Sequence, residues 1–335
     1  MHAERPIDKA IQYHLNGELE KALEIYNEIV QRMPNNQVVL ELLSNMSQGY
    51  FQLAQSLIKM GRIKAAVKTL NKVLLITPGM ANIHFMLGQL LIRIKDNKQA
   101  AEHLNIYLEM VPEDLAGANM LLAHLGEIKA PEKPSELFIK SFYDNYAKTY
   151  DEHLVRRLNY KCPEIIYNAM TRNNVSNADI LDLGCGTGLC GEAIKPLAKS
   201  IDGVDLSQPM LEVARQRNIY NELVMADIYE YMANKSQTYD VVIAAGLFEH
   251  IGDPEPILHI VHDKLQENGL FIFTTDENTD QSVGVNSAGF YMHGKSYLQM
   301  KAEECGFKVI ENENVTMWIE NKQPVSGLLV TLKRV

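Results

Sequence analysis

The stretch Ile180-Leu-Asp-Leu-Gly-Cys-Gly-Thr-Gly188 runs from a short apolar segment into a glycine-rich loop. The apolar segment predicts a buried strand. The loop lets the backbone come close to a ligand, because glycine has no Cβ. Its Gly-x-Gly-x-Gly spacing departs from the Gly-x-Gly-x-x-Gly fingerprint of dinucleotide sites. Nicotinamide and flavin enzymes also use glycine-rich loops, so this loop by itself does not identify the ligand.

Strands and helices alternate after this loop. Four further strands are predicted at 202–206, 223–227, 239–245 and 270–275, followed by an antiparallel pair at 308–319 and 325–332. Helices are predicted at 189–197, 208–217, 257–265 and 295–305, with another that ends at Met232. Strands separated by helices predict a parallel, doubly wound sheet. The ligand of such a sheet lies beyond the carboxyl ends of its strands, here near the first strand.

Acidic residues follow the next two predicted strands. Asp205 ends the second strand, seventeen residues after Gly188, at a distance suited to both hydroxyls of a ribose. Asp227 and Ile228 end the third strand. Together these motifs resemble the class I S-adenosylmethionine-dependent methyltransferases over about residues 138–334. The resemblance implies a Rossmann-like fold, S-adenosylmethionine as the cofactor and S-adenosylhomocysteine as its product.

The same resemblance assigns roles in cofactor binding. Asp182 positions the loop and the ammonium group of the ligand, Asp205 binds the ribose diol, and Asp227 accepts from the adenine amine. The other expected contacts are Gly184, Cys185, Gly186 and Gly188 beside the methionine part, Leu206, Met210 and Ile228 on the adenine, and Ala244 and Ala245 on the sulfonium side. A tight turn is the alternative for the loop, and a helix cap is the alternative for Asp205.

An aromatic segment precedes the first strand. Phe142-Tyr-Asp-Asn-Tyr-Ala-Lys-Thr-Tyr-Asp-Glu-His153 resembles the lid helix that many of these enzymes carry at this place. Tyr143, Tyr146 and Tyr150 are spaced by three and four residues, which puts them on one face of a helix. A tyrosine ring beside the sulfonium would stabilise it by a cation–π interaction. The alternative is that the three rings only pack on the sheet.

Candidates for the acceptor side follow the fourth strand. Methyl transfer from a sulfonium is an in-line displacement, so the acceptor atom must be held beside the methyl carbon. An amine or hydroxyl acceptor must also lose a proton, whereas a carboxylate need not. The resemblance implies that the segment after the fourth strand contacts the acceptor, so Glu249 and His250 are the leading acid or base candidates, with a solvated role for Glu249 as the alternative. Tyr291 and His293, in a loop expected at 286–293, are predicted to close over the acceptor.

The first third of the chain contains an internal repeat. Ala22, Ala66 and Ala100 each lie twelve residues before a proline and four before a large apolar residue, and another small residue precedes each of them by twelve. Small residues let two antiparallel helices approach, the large side chain fills the notch, and proline ends the second helix. The last two alanines are 34 residues apart, and ten extra residues at 35–44 lengthen the first interval. The pattern resembles the tetratricopeptide repeat.

These patterns predict two domains. Residues 1–130 hold about three repeats and a capping helix at 115–125, and residues 131–335 form the methyltransferase domain. Pro131 and Pro134 mark the boundary, because a residue before proline avoids helical geometry. The fold class is α plus α/β: helical hairpins, then a Rossmann-like domain with a mainly parallel sheet and an antiparallel C-terminal strand. An ordinary helical bundle is the alternative for the first domain.

Composition and charge limit the classes of partner that the protein is expected to bind. The 335 residues are 46% hydrophobic and 22% charged, as in globular proteins. The formal net charge of −10 falls on residues 131–335, which hold 19 basic and 29 acidic side chains, so tight nucleic-acid binding is not expected. No apolar run approaches the ~20 residues of a membrane span, and the N-terminus lacks the apolar core of a signal peptide. We therefore expect a cytoplasmic protein without a membrane partner.

The four cysteines are Cys162, Cys185, Cys190 and Cys305. They form no Cys-x-x-Cys pair, and none has a histidine at zinc-finger spacing. We therefore expect reduced, structural thiols and no metal site.

The domain order resembles a bacterial group of predicted tetratricopeptide-repeat methyltransferases, and this resemblance extends only to the type of reaction. In the leading hypothesis, the repeats bind a protein or peptide in their groove, either as the substrate or as its carrier. In a second hypothesis, the acceptor is a small molecule of quinone or carboxylic-acid metabolism that is methylated on oxygen or carbon, and the repeats form a homodimer. In a third, the chain is a scaffold that binds the cofactor without catalysis.

Overall fold

The structure is a computed structural model that describes residues 5–280, 282–320 and 322–335. The chain divides into two compact units, Met1–Val111 and Pro112–Val335. The first four residues of the predicted repeat domain lie outside the described residues. The division falls before Pro131 and Pro134, so the predicted capping segment is part of the second unit.

Contacts made by residues 112–131 explain this division. Helix α7, Ala118–His124, ends at His124, whose Nδ1 lies 2.9 Å from the carbonyl oxygen of Val285. Before this helix, the Phe138 ring packs so closely on Gly117 that a Cβ there would lie 2.9 Å from it. The segment is thereby held to elements far along the chain. Sequence spacing does not reveal such contacts.

In the first unit, the described helices pair as antiparallel hairpins. Their bounds are α1 Pro6–Leu15, α2 Leu19–Arg32, α3 Gln37–Lys59, α4 Ile63–Ile76, α5 Ala81–Arg93 and α6 Asn97–Met110. The second helix of each hairpin ends two residues before a proline, at Pro34, Pro78 and Pro112, as expected. The ten extra residues belong mostly to α3, which is 23 residues long.

Small residues lie at the centre of each hairpin. A Cβ added to Gly88 of α5 would lie 2.6 Å from Cδ2 of Leu104 in α6, so the leucine fills the notch that the missing side chain leaves. The turns need a left-handed residue, which is Gly17 (φ +80°) and then Gly61 (φ +72°). In the third hairpin Lys95 adopts φ +63° instead, a conformation that costs a residue with a Cβ about 1–2 kcal/mol.

The second unit alternates strands and helices as predicted. After α7 its helices are α8 Glu136–Asp151, α9 Cys162–Arg172, α10 Leu189–Ile194, α11 Gln208–Gln216, α12 Ile228–Asn234, α13 Glu255–Lys264 and α14 Lys295–Glu304. Its strands are β1 Ala178–Leu183, β2 Ala198–Asp205, β3 Glu222–Met225, β4 Tyr239–Ala244, β5 Leu265–Glu277, β6 Val283–Val285, β7 Tyr291–His293, β8 Phe307–Glu320 and β9 Gln323–Arg334.

The described strands form one sheet in the order β3-β2-β1-β4-β5-β7-β6, with β9 paired to β5 and β8. Pairs among β1 to β5 are parallel, while β9 runs antiparallel to both of its neighbours. The predicted Rossmann-like fold is confirmed. The strand order reverses between β1 and β4, and ligands of such sheets bind beyond the carboxyl ends at this point.

The sheet has an apolar core on each face. Successive residues of a strand point to opposite faces, so Val241 and Ile243 pack with α9 and α10, while Val242 and Ala244 pack with α12 and α13. A sheet covered on both sides needs nearly continuous apolar strands. Within the described ranges, no helix has both the length and the hydropathy that a membrane crossing requires.

Candidate active site

The glycine-rich loop follows β1 and leads into α10. Gly184, Gly186 and Gly188 have φ values of +65°, +53° and +85°, a region that residues with a Cβ avoid. A Cβ on Gly188 would lie 3.0 Å from the ring of Tyr220. At Gly186, by contrast, nothing lies within 4 Å of such a Cβ. The middle of the loop therefore presents bare backbone to an open space.

Asp205, the last residue of β2, holds this loop in place. One carboxylate oxygen accepts from the backbone N–H of Gly186 at 2.9 Å, and the other accepts from the N–H of Ser207 at 2.8 Å. Burial raises the pKa of Asp205, and the two amide donors oppose that rise. The carboxylate thus links the loop to the next strand and also faces the open space.

That space is a cavity of about 360 Å³, within the usual size of small-molecule pockets. The predicted cofactor residues on its wall are Tyr143, Tyr150, Gly184, Gly186, Asp205, Leu206, Met210, Asp227, Ile228 and Ala245. Asp227 also caps α12 by accepting from the N–H groups of Tyr229 and Glu230 at 2.8 and 3.2 Å. Residues from four strand ends thus converge on one cavity.

Helix α8 is fastened to the loops after β1 and β2 by polar contacts that the sequence did not reveal. Asp144 accepts from the Ser207 hydroxyl at 2.7 Å, and Asp151 accepts from the Thr187 hydroxyl at 2.6 Å. Arg217 donates to Asp151 at 2.5 Å and to the Thr187 carbonyl at 2.6 Å. These bonds join residues 30 to 66 positions apart. They hold α8 against the glycine-rich loop.

The comparisons with known proteins agree with this geometry. A family described as methyltransferase domain matches residues 181–271, and one described as tetratricopeptide repeat matches residues 57–125. These matches assign a methyltransferase domain to residues 181–271 and tetratricopeptide repeats to residues 57–125.

Two relatives each match less than half of the chain. A malonyl-[acyl-carrier protein] O-methyltransferase of Halalkalibacterium halodurans is 30% identical over 147 residues, which is 41% of this chain and 54% of that protein. A ubiquinone biosynthesis O-methyltransferase of Hydrogenovibrio crunogenus is 28% identical over 108 residues, 30% of this chain and 44% of that protein. The chain therefore spans about half the length of these relatives.

Among solved structures, a magnesium protoporphyrin IX methyltransferase from Synechocystis with bound S-adenosylhomocysteine is 12% identical. The alignment covers 60% of this chain and 99% of that one, with a TM-score of 0.48.

The three tyrosines predicted to share one face of α8 have different surroundings. Tyr143 and Tyr150 line the cavity, and their ring centroids are 6.3 Å apart. Tyr146 does not line it. Its ring lies 5.0 Å from that of Tyr150, and its hydroxyl bonds to His153. Tyr146 therefore supports the other two rings.

The acceptor candidates after β4 are brought together with a carboxylate from β5. The Tyr143 hydroxyl lies 2.8 Å from Nε2 of His250, whose pKa burial lowers to about 4, so the imidazole is neutral near pH 7. Burial and the charge of Asp276 raise the pKa of Glu249 to about 8. Burial also raises the pKa of Asp276 to about 6, although Asn286 donates to it at 3.0 Å. Asp276 lies at the carboxyl end of β5, directly after the predicted strand 270–275, and this position, which also marks Asp205 and Asp227, is the sequence signal by which it could have been found.

Tyr291 and His293 are placed differently from the prediction. They form β7, a strand rather than a loop, and both side chains are fully buried. Tyr291 donates to the carbonyl of Pro131. His293 bonds to the Thr275 hydroxyl at 2.8 Å and lies 3.3 Å from the carbonyl oxygen of Gly252. Neither lines the cavity, because strand pairing with β5 and β6 turns both side chains inward.

The other predicted cofactor residues lie behind the cavity wall. Asp182 is 1% exposed and accepts from the Tyr220 hydroxyl at 2.7 Å, and burial raises its pKa to about 7. Cys185, Gly188 and Ala244 are also buried. These residues shape the loop from below rather than facing the open space. Tyr220, which packs against both Asp182 and Gly188, is a supporting residue that sequence spacing did not indicate.

In the described ranges, no group of three or more His, Cys, Asp and Glu side chains has the arrangement of a metal site. All four cysteines are free and buried.

Proposed function

We propose that this protein is an S-adenosylmethionine-dependent methyltransferase. The cavity between the bare backbone of Gly186 and the carboxylate of Asp205 carries this proposal. Its place beyond β1, β2 and β4 is where a doubly wound sheet binds its ligand. The matched methyltransferase family and the relatives named above support the same reaction.

The residues of this cavity fit the cofactor. Asp205 binds the two ribose hydroxyls, Asp227 and Ile228 bind the adenine, and the open backbone at Gly186 accommodates the methionine part. The rings of Tyr143 and Tyr150 face the sulfonium, whose positive charge an aromatic face stabilises. When bound, S-adenosylmethionine supplies an activated methyl group.

Binding of S-adenosylhomocysteine tests the proposal. It should raise the melting temperature, as any ligand specific for the native state does. Asp205→Ala should weaken its binding about 10- to 100-fold, because hydrogen bonds to a charged group contribute about 1.5–3 kcal/mol. The exposed Asp263→Ala should leave the affinity within about twofold of wild type. Calorimetry measures all three. Binding of a nicotinamide dinucleotide with no response to S-adenosylhomocysteine would contradict the proposal.

The repeats, in this proposal, bring a protein or peptide to the methyltransferase domain. Repeats of this kind present an extended concave surface to a partner. The name of the ubiquinone biosynthesis relative favours a second candidate, a small-molecule O-methyltransferase. In this candidate the repeats form a homodimer. We place either enzyme in the cytoplasm, a proposal that the four free thiols support.

Removal of the first unit separates these candidates. The shortened chain should begin at Pro112 rather than at Pro134, because residues 112–131 contact α8, β6 and β7 of the second unit. Circular dichroism and affinity for S-adenosylhomocysteine show whether it folds. Recruitment predicts that methylation of macromolecules in a lysate is lost while small acceptors still react. Dimerisation predicts a smaller particle in light scattering with the same acceptors. Loss of cofactor affinity in a folded product would contradict both candidates.

A further inference from the structure

The first two helical hairpins carry opposite charges at equivalent positions of the repeat. These positions lie two residues before, two after and six after the repeat alanine, which is Ala22 in α2 and Ala66 in α4. In α2 they form an acidic face, Glu20, Glu24 and Glu28, and in α4 a basic face, Lys64, Lys68 and Lys72. All six side chains are exposed. Two helices of 14 residues each thus present opposite charges to solvent.

Each face follows one side of its helix. Residues four apart lie above one another on a helix, with a rise of about 6 Å between them. Like charges at this spacing destabilise a helix. The ion pairs in the described part of the first unit join Arg5 to Asp8 and Lys21 to Glu18. No member of either face therefore takes part in an ion pair that would offset the repulsion.

The neighbouring sequence keeps each face predominantly of one sign. Residues 42–95 contain seven basic and no acidic side chains, and residues 1–41 contain seven acidic and four basic ones. Arg62 precedes α4 at the position that Glu18 occupies before α2, although the positive end of a helix dipole favours an acid. Lys72 lies over the ring of Tyr50, with Nζ 5.2 Å from the centroid, a contact that does not neutralise its charge.

We propose that the repeats form a twofold dimer in which the acidic face of one copy packs on the basic face of the other. The inference rests on the homodimer of the second candidate proposed above and adds the surface that forms it. In a twofold dimer the contact occurs twice, since α2 of each copy meets α4 of the other. Both faces carry three charges at the same spacing, so each carboxylate can pair with an ammonium group.

A second copy fits these faces better than another charged molecule. A nucleic acid would bind to the basic face but would be repelled by the acidic one. A protein that covered one face would leave the other without compensation. Leu15 and Met60 are 78% and 70% exposed in the segments that lead into α2 and α4. They supply apolar surface, which the buried centre of an interface contains.

The experiment measures the mass of the full chain by light scattering and sedimentation. In one variant, Lys64→Glu/Lys68→Glu, both helices become predominantly acidic. In the other, Glu20→Lys/Glu24→Lys, both become predominantly basic. Each variant alone is repelled by its own copies at both contacts. An equimolar mixture restores both contacts, because α2 of the first variant then meets α4 of the second, and α4 of the first meets α2 of the second.

We expect wild type to dimerise, with a dissociation constant that is higher at ~0.5 M than at ~0.05 M salt, because salt screens exposed charges. Each reversed variant should dimerise about tenfold more weakly or worse, since every exposed ion pair lost contributes up to about 1 kcal/mol. The mixture should recover the wild-type association. Lys129→Glu/Lys308→Glu, at exposed positions of the second unit, is the matched control and should leave the dissociation constant unchanged.

Circular dichroism and affinity for S-adenosylhomocysteine check that the variants keep both units, and neither should change. If a reversed variant loses helix, the neutral Lys64→Gln/Lys68→Gln takes its place and should weaken the dimer by a smaller factor.

Any of four results would overturn the inference while the methyltransferase reaction stands. They are wild type that stays monomeric at low salt, a dimer that charge reversal does not weaken, a mixture that fails to associate, and open-ended assemblies larger than a dimer. Failure of wild-type protein to bind S-adenosylhomocysteine would instead overturn the proposed reaction, and the measured mass would still decide whether the two faces form a dimer.

Discussion

The two units of this chain bury polar groups in different ways. In the described part of Met1–Val111 the buried polar residues are Ser47, Thr69 and His84, and each has a partner, at 2.9, 2.8 and 2.9 Å. In the described part of Pro112–Val335 the buried polar residues are more numerous, and unpartnered atoms remain on Glu249, His250, Asp276 and Asn312. Among the described residues of the repeats, the Tyr26 hydroxyl alone lacks a partner.

This difference separates polar groups whose hydrogen bonds are completed within the fold from polar groups that keep an unused hydrogen-bonding atom. A helical hairpin that only stacks on its neighbours needs matched shapes, and Gly88 with Leu104 provides them. A site for a charged ligand must keep its bonding capacity unused until the ligand arrives, at a cost in stability. The comparison leads to three predictions, which begin with the largest effect.

Leu104→Ala should lower the free energy of unfolding of the repeats by about 3–5 kcal/mol, because it opens a cavity in a fully buried site. Gly88→Ala should cost about 1–3 kcal/mol by overpacking against the same leucine. In the double variant the new methyl group occupies the vacated space, so the combined loss should be smaller than the sum. Urea denaturation measures each loss.

Affinity for S-adenosylhomocysteine is the control for this series, and we expect it to change less than twofold. Strict additivity of the two losses would show that Gly88 and Leu104 do not share one packed site. A loss of cofactor affinity would show that the repeats are not a separate core.

Asp182 should make the methyltransferase domain less stable as pH rises. Its pKa is about 7 in the folded domain and about 3.9 when unfolded. Between these values the folded state binds more protons than the unfolded state, so stability falls with rising pH. Asp182→Asn removes this dependence. The free energy of unfolding of this variant, relative to that of wild type, should rise by about 2–3 kcal/mol between pH 4.5 and pH 6.5. Urea denaturation at each pH measures the difference. An advantage that stays constant across this range would refute the assignment.

The smallest change in stability is expected in the repeats, which should become less stable as pH falls rather than as pH rises. Nδ1 of His84 lies 2.9 Å from Nδ1 of His103, so one ring must accept a hydrogen bond. Burial lowers the pKa of both. Below about pH 6.5 the unfolded chain binds more protons, so the repeats should lose stability as pH falls.

The histidine pair is tested by thermal unfolding between pH 5 and pH 8. Replacing both histidines by glutamine should remove the loss of stability at low pH. His14→Gln, a change outside the histidine pair, should leave that loss unchanged. An equal acid loss in all three proteins would show that the pair is not its source.

Much of the fold was predictable because short sequence patterns specify it. The strand before Gly184, the glycine spacing and Asp205 lie within 26 residues of one another, and the helical hairpins repeat every 34 to 44 residues. The predicted strands and the antiparallel C-terminal pair are confirmed, as are the helix ends before Pro34, Pro78 and Pro112. Local propensity and hydrophobic period determine such elements with little help from distant residues.

Only the tertiary structure decided which polar groups meet. Arg217 reaches Asp151 across 66 positions, and the Tyr143 hydroxyl lies 2.8 Å from Nε2 of His250 across 107 positions. Tyr291 turns inward to bond to Pro131 across 160 positions. The repeats and the strand-and-loop pattern follow from neighbours in sequence, so the sequence by itself determined them. Partnerships between side chains, and the division at Val111 and Pro112, depend on distances that exist only once the sheet has brought separate strand ends together.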